Sequence, residues 1–182
     1  MKMISLRKIN AVLAVIAVVM LACHAILNTL LFFGAVEYFP IFKITGRRLF
    51  YPLILHIGLS LFLYVREKLK GLKRYPKLTR ESTLQLVSGI CMILFAALHI
   101  LNYSMPYDPS GSHLISHIIV DNLLFVSIGL HLTVSIPRLL VSFGFLEGKN
   151  DYKNAKRVIR VLTVIILIII FIAQATYYGG FI

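Results

Sequence analysis

Six histidines stand in this 182-residue chain, and their placement is its most chemically suggestive feature. His24, His56, His99 and His131 each fall in a different long apolar stretch, His117 is a second in the fourth stretch, and His113 opens it. Imidazole binds metals and moves protons near neutral pH. Polar groups in an apolar helix are costly and mark a functional interior. Within 112–138, His117 and His131 lie fourteen positions apart, which puts both rings on nearly one helix face, about 21 Å apart along the axis. Measured from the basic end of each stretch, His131 and His56 lie about 10 and 15 Å along their helices and form a lower pair. His24, His99 and His117 lie about 21, 27 and 32 Å along theirs and form an upper group.

Two levels of imidazole in a helical bundle suit two non-covalent b-type haems, each iron held between histidines from facing helices. A porphyrin also needs an apolar slot and small residues where backbones approach the ring. Gly58 and Gly129 stand two positions from His56 and His131, and Ala22, Ala25, Ala96 and Ala97 flank His24 and His99. The plainer alternative is that these imidazoles hydrogen-bond to backbone or hydroxyl groups of neighbouring helices. His113 and His117, at i and i+4, have the spacing for a metal on one helix face, although no carboxylate triad or cysteine accompanies them.

The elements that must position these residues follow from composition. Apolar residues make up 59% of the chain, which implies an all-α integral membrane protein rather than a soluble domain. Five stretches are long enough to cross a core of about 30 Å: 10–33, 49–65, 82–103, 113–141 and 158–178. Together they form a single transmembrane haem-binding domain over 1–182. The net charge of +12 would suggest nucleic acid in a soluble protein, but the cations gather between apolar stretches, so no nucleic-acid partner is expected. Lys2, Arg7 and Lys8 precede the first stretch, seven cations occupy 66–80, and Arg138, Lys149, Lys153, Lys156 and Arg157 separate the fourth from the fifth. The 104–112 connection has no Lys or Arg. The positive-inside rule then gives an N-in, C-out topology in a cell inner (cytoplasmic) membrane. Pro52 is expected near the start of the second helix and Pro137 at a kink in the fourth. Cys23 and Cys91 lie in apolar surroundings without a CxxC or CxxCH pattern, so neither a disulfide framework nor covalent haem is indicated. No internal repeat is apparent.

With one histidine in each of its first four helices, the chain resembles the five-helix, dihaem cytochrome b anchor of succinate dehydrogenases and menaquinol:fumarate reductases. The resemblance spans nearly the whole chain and implies that His24 and His99 hold an outer haem and His56 and His131 an inner one. The upper group leaves His117 as an alternative outer ligand. The resemblance further implies a quinone substrate, menaquinone being the expected one, and flavoprotein and iron–sulfur subunits docked on the cytoplasmic side. The chain has no flavin, dinucleotide or iron–sulfur motif of its own. Glu37 and Asp121 are the candidate quinone or proton sites, with Asn122 beside the latter. Arg47, Arg48, Arg66 and Arg138 are candidate partners for haem propionates, with interfacial snorkelling as the alternative. Tyr38, Tyr51, Tyr64, Tyr103, Tyr107, Tyr177 and Tyr178 form an interfacial belt to which no chemistry is assigned. Two other readings stay open: a dihaem cytochrome b of another membrane oxidoreductase, of the ferric reductase or superoxide oxidase kind, and a haem-free transporter or assembly protein.

Overall fold

A computed structural model describes residues 5–69, 76–105 and 111–179, with the side chains of 76–79 and 111–112 outside the description. The described residues form five α-helices: α1 (Leu6–Phe32), α2 (Ile41–Leu69), α3 (Pro76–Ser104), α4 (Gly111–Ser142) and α5 (Lys149–Gly179). All five contain segments long and apolar enough to cross a membrane. Isoleucine, leucine and valine side chains lie exposed along them, on α5 from Val161 through Ile169 and again at Ile172. Hydrocarbon is the solvent that matches such surfaces, because the interior backbone groups of each helix are paired within it.

The helices run beyond the apolar stretches, most of all at α2, which begins at Ile41 rather than near residue 49. Its first turns carry Lys43, Arg47 and Arg48, whose long stems are good helix formers although their charges end the hydrophobic signal. Pro52 therefore lies in the interior of α2, not near its start. Pro137 is likewise internal to α4, which continues to Ser142.

The ends have local causes. Ser5 is extended and its hydroxyl accepts from the Lys8 amide, capping α1. At the other end Gly34 adopts φ 70°, with Gly34 N–H on Leu31 C=O and Ala35 N–H on Leu30 C=O. Gly144, at φ 79°, closes α4 in the same way through Val141 and Leu140. Both positions need the left-handed conformation that glycine reaches without a Cβ clash.

The chain divides into two compact units, 1–73 and 74–182. In the first, α1 and α2 form an antiparallel hairpin. Asn10 of α1 donates to the Ser60 hydroxyl at 3.0 Å, and Arg7 meets Glu67 at 2.8 Å. In the second, α4 packs against both α3 and α5. Ile170, Ala173, Gln174 and Tyr178 are the buried positions of α5, recurring at helical spacing on one side. Gly129 of α4 makes room for α5, since a Cβ there would lie 3.0 Å from Leu167 Cδ1 and 3.1 Å from Thr163 Cγ2.

Candidate functional site

Four of the six helix-borne histidines, His24, His56, His99 and His131, are held through Nδ1 by an oxygen from the other helix of their own hairpin. His56 Nδ1 lies 3.4 Å from the Asn10 carbonyl oxygen, and His131 Nδ1 lies 3.1 Å from that of Gln85. A carbonyl only accepts, so Nδ1 carries the proton in both rings. Ser88, whose hydroxyl already donates to Leu84 C=O, sits 3.2 Å from the same His131 nitrogen. His24 Nδ1 lies 3.2 Å from Thr45 Oγ1, and the Thr45 proton is directed to Phe42 C=O. The hydroxyl oxygen is therefore open to accept from the ring. The Asn28 amide, which donates to His24's own carbonyl at 2.7 Å, stands 3.3 Å from that ring nitrogen. His99 Nδ1 lies 2.7 Å from Asp121 Oδ1. His56, His99 and His131 thus face pure acceptors at Nδ1 and keep the lone pair on Nε2, whereas Nδ1 of His24 meets both a hydroxyl and an amide donor.

The two hairpins repeat one another in a way missed in the reading of the sequence. In the first, Asn10 gives its carbonyl to His56 and its side-chain amide to Ser60. In the second, Gln85 gives its carbonyl to His131 and its side-chain amide to Ser135 at 3.1 Å. Asn10 and Gln85, His56 and His131, and Ser60 and Ser135 are each 75 positions apart, as are His24 and His99. The equivalence breaks at positions 46 and 121. Gly46 lies against the His24 ring, where an added Cβ would stand 3.0 Å from Cε1. Its counterpart Asp121 puts a carboxylate on His99.

The small residues beside the rings also differ from expectation. Gly46 and Gly89 are the glycines next to histidines, a Cβ on Gly89 standing 3.5 Å from His131 Cε1. Gly58 has nothing within 4 Å, and Gly129 serves the approach of α5. Proximity in sequence had suggested the latter two, yet neighbours two apart on a helix point away from one another.

Asp121 is the centre of a buried cluster in the second unit. It is 1% exposed. Tyr103 donates to its Oδ2 at 3.1 Å, and the Tyr103 and Tyr178 hydroxyls lie 3.3 Å apart. Tyr103 packs at a tilt against His99 and edge-on against His117 at centroid separations of 4.7 and 4.6 Å, and His113 lies edge-on to His117 at 4.8 Å. His117 Nδ1, both His113 nitrogens and both polar atoms of Gln174 are buried with no hydrogen-bond partner among the described residues. Tyr103 and Tyr178 are thus parts of this cluster rather than interfacial anchors alone. Asn122 turns away and donates to Ile118 C=O. Among the described residues no group of three or more His, Cys, Asp or Glu could hold a metal ion, so His113 and His117 acquire no third ligand. A porphyrin iron needs only two side chains.

The remaining candidates are dispersed. Glu37 is exposed in the segment joining α1 to α2, and Arg47 and Arg48 are exposed on the early turns of α2. Arg66 lies over the Phe62 ring at 6.0 Å, with its Nε buried and unpaired. Arg138 is engaged within its unit, donating to Gln85 Oε1 at 2.6 Å and Ser82 Oγ at 3.1 Å and standing 4.0 Å from Glu81. Glu81 in turn accepts from Lys156 at 2.5 Å and Tyr152 at 2.8 Å, joining the ends of α3, α4 and α5. Tyr107 lies outside the described residues.

No family model, curated protein or solved structure matches the chain.

Proposed function

We propose that this chain is a membrane cytochrome b that holds two b-type haems through His24, His56, His99 and His131 and carries electrons between quinone and a redox partner. The observation that carries the reading is the common orientation of the four histidines. A metal-ligating imidazole characteristically donates its other ring proton to a carbonyl, carboxylate or hydroxyl oxygen, which fixes the ring and makes the ligating nitrogen more basic. All four rings have an oxygen from the facing helix at Nδ1, and for His56, His99 and His131 that oxygen is a carbonyl or carboxylate, which leaves Nε2 as the ligating nitrogen. Among the described residues His117 has no partner for its Nδ1, which favours His99 and His24 over it as upper ligands. The same hydrogen bonds would serve helix packing alone, which is why the test must detect the cofactor.

Bound haem supplies one-electron exchange between ferric and ferrous iron. The chain's part is to offer Nε2 at fixed orientation, to exclude water with apolar helix faces, and to keep polar atoms near the rings paired. Quinone as the membrane partner, with flavoprotein and iron–sulfur subunits on the cytoplasmic side, rests on the resemblance, as does placement in the inner membrane. The N-in, C-out orientation rests on the alternation of basic segments.

A reduced-minus-oxidised visible spectrum and a pyridine haemochrome determination on the purified chain test the reading. Two b-type haems per chain with low-spin, six-coordinate spectra are expected. Protein purified from haem-replete cells without a b-type spectrum would refute it in favour of a haem-free transporter or assembly protein.

A further inference from the structure

The four imidazoles do not have equal partners. Three face neutral oxygens: the Thr45 hydroxyl, the Asn10 carbonyl, and the Gln85 carbonyl with the Ser88 hydroxyl. Among the contacts of the described residues, a carboxylate is seen at His99, at 2.7 Å. The repeat sharpens this contrast, because the position equivalent to Asp121 in the first hairpin is Gly46, which has no side chain to offer. The second hairpin keeps the amide and hydroxyl that accompany the lower histidine but differs beside the upper one.

We propose that Asp121 is a positioning residue that lowers the reduction potential of the iron bound by His99. The inference rests on the cytochrome reading. A carboxylate drawing on the Nδ1 proton gives the imidazole partial imidazolate character, which strengthens donation from Nε2 and stabilises ferric over ferrous iron. The charge also acts directly: at 1% exposure it is poorly screened, and a nearby negative charge opposes the arrival of an electron. No Lys or Arg among the described residues pairs with Asp121 to cancel it. Tyr103 and, behind it, Tyr178 hold the second oxygen and keep Oδ1 on His99. The other titratable groups of the cluster are the His117 ring, which packs on Tyr103, and the His113 ring, which packs on His117.

The test is a spectroelectrochemical titration of the full chain and of three variants, following the two haem bands separately. Asp121→Asn retains an oxygen acceptor for Nδ1–H but removes the charge. One midpoint should move to higher potential and the other stay, with both haems retained. Asp121→Glu should bring that midpoint back toward the original. Tyr103→Phe removes a donor from the carboxylate and leaves more charge on it, so the same midpoint should move the opposite way. Two haems with unchanged midpoints in Asp121→Asn, or equal shifts of both, would overturn the role of Asp121 while leaving the cytochrome reading intact. If Asp121→Asn fails to hold haem, an unchanged midpoint in Tyr103→Phe overturns it equally. Absence of haem from the parent chain would instead remove the cytochrome reading, and this inference with it.

Discussion

At the scale of single residues, contacts at Nδ1 set His24, His56, His99 and His131 apart from His113 and His117, whose Nδ1 atoms are buried without a partner among the described residues. Replacing His24, His56, His99 or His131 by alanine should cost each variant about half of the haem, since the surrounding leucines and isoleucines offer no replacement nitrogen. His117→Ala should keep both haems. Haem-to-protein ratios of the five variants check this, and the spectral component lost in each sorts the four ligands into pairs. Gly46 supplies a second residue-level prediction. With only 3.0 Å between an added Cβ and the His24 ring, Gly46→Val forces the ring from the Thr45 hydroxyl and should lower haem content much as His24→Ala does, whereas Gly58→Ala, in open space, should be silent. The histidines and Asp121 could be found from the sequence because a polar residue in an apolar stretch stands out. Their partners could not. The acceptors for His56 and His131 are backbone carbonyls, which carry no residue signature, and Thr45 lies in a basic segment that hydropathy assigns to a loop.

At the scale of helices, the most informative contacts are the tight seam between α4 and α5 and the charged knot joining the ends of α3, α4 and α5. Gly129→Leu must displace Thr163 and Leu167, and overpacking of this kind costs about 1–3 kcal/mol. Thermal unfolding of the detergent-solubilised chain should show the lower midpoint. Glu81→Ala leaves Lys156, Tyr152 and, more distantly, Arg138 without their shared acceptor. Glu81 is buried but its cations are partly exposed, which discounts the loss to about 1–3 kcal/mol. Glu81→Gln, which still accepts hydrogen bonds, should recover part of it in the same melt. The number and order of helices were readable from five apolar stretches, because length and hydropathy measure the same quantity the bilayer does. Their ends were not, since Lys43, Arg47 and Arg48 continue α2 past the point where the apolar signal stops. The error at Pro52 follows from that boundary.

At the scale of the whole chain, alternating basic segments predict that a reporter following Ile182 lies outside the cell and one inserted near Lys73 lies inside; protease or alkaline phosphatase accessibility reads both, and the same side for both would exclude five crossings. The repeat of the two hairpins was invisible at the sequence level for a physical reason. Lipid-facing positions accept leucine, isoleucine, valine or phenylalanine interchangeably, so identity survives at a few polar positions scattered through interchangeable ones. The pairing of Asn10 with Ser60 and of Gln85 with Ser135 has a consequence for biogenesis. Apolar side chains gain little by leaving lipid for one another, so close packing and hydrogen bonds of this kind decide which transmembrane helices associate. Each hairpin contains both halves of its own fastener, so α1 and α2 can latch while the ribosome is still translating α3. Loss of the Asn10 amide should accordingly weaken the α1–α2 hairpin and leave the α3–α4 fastener of Gln85 and Ser135 untouched.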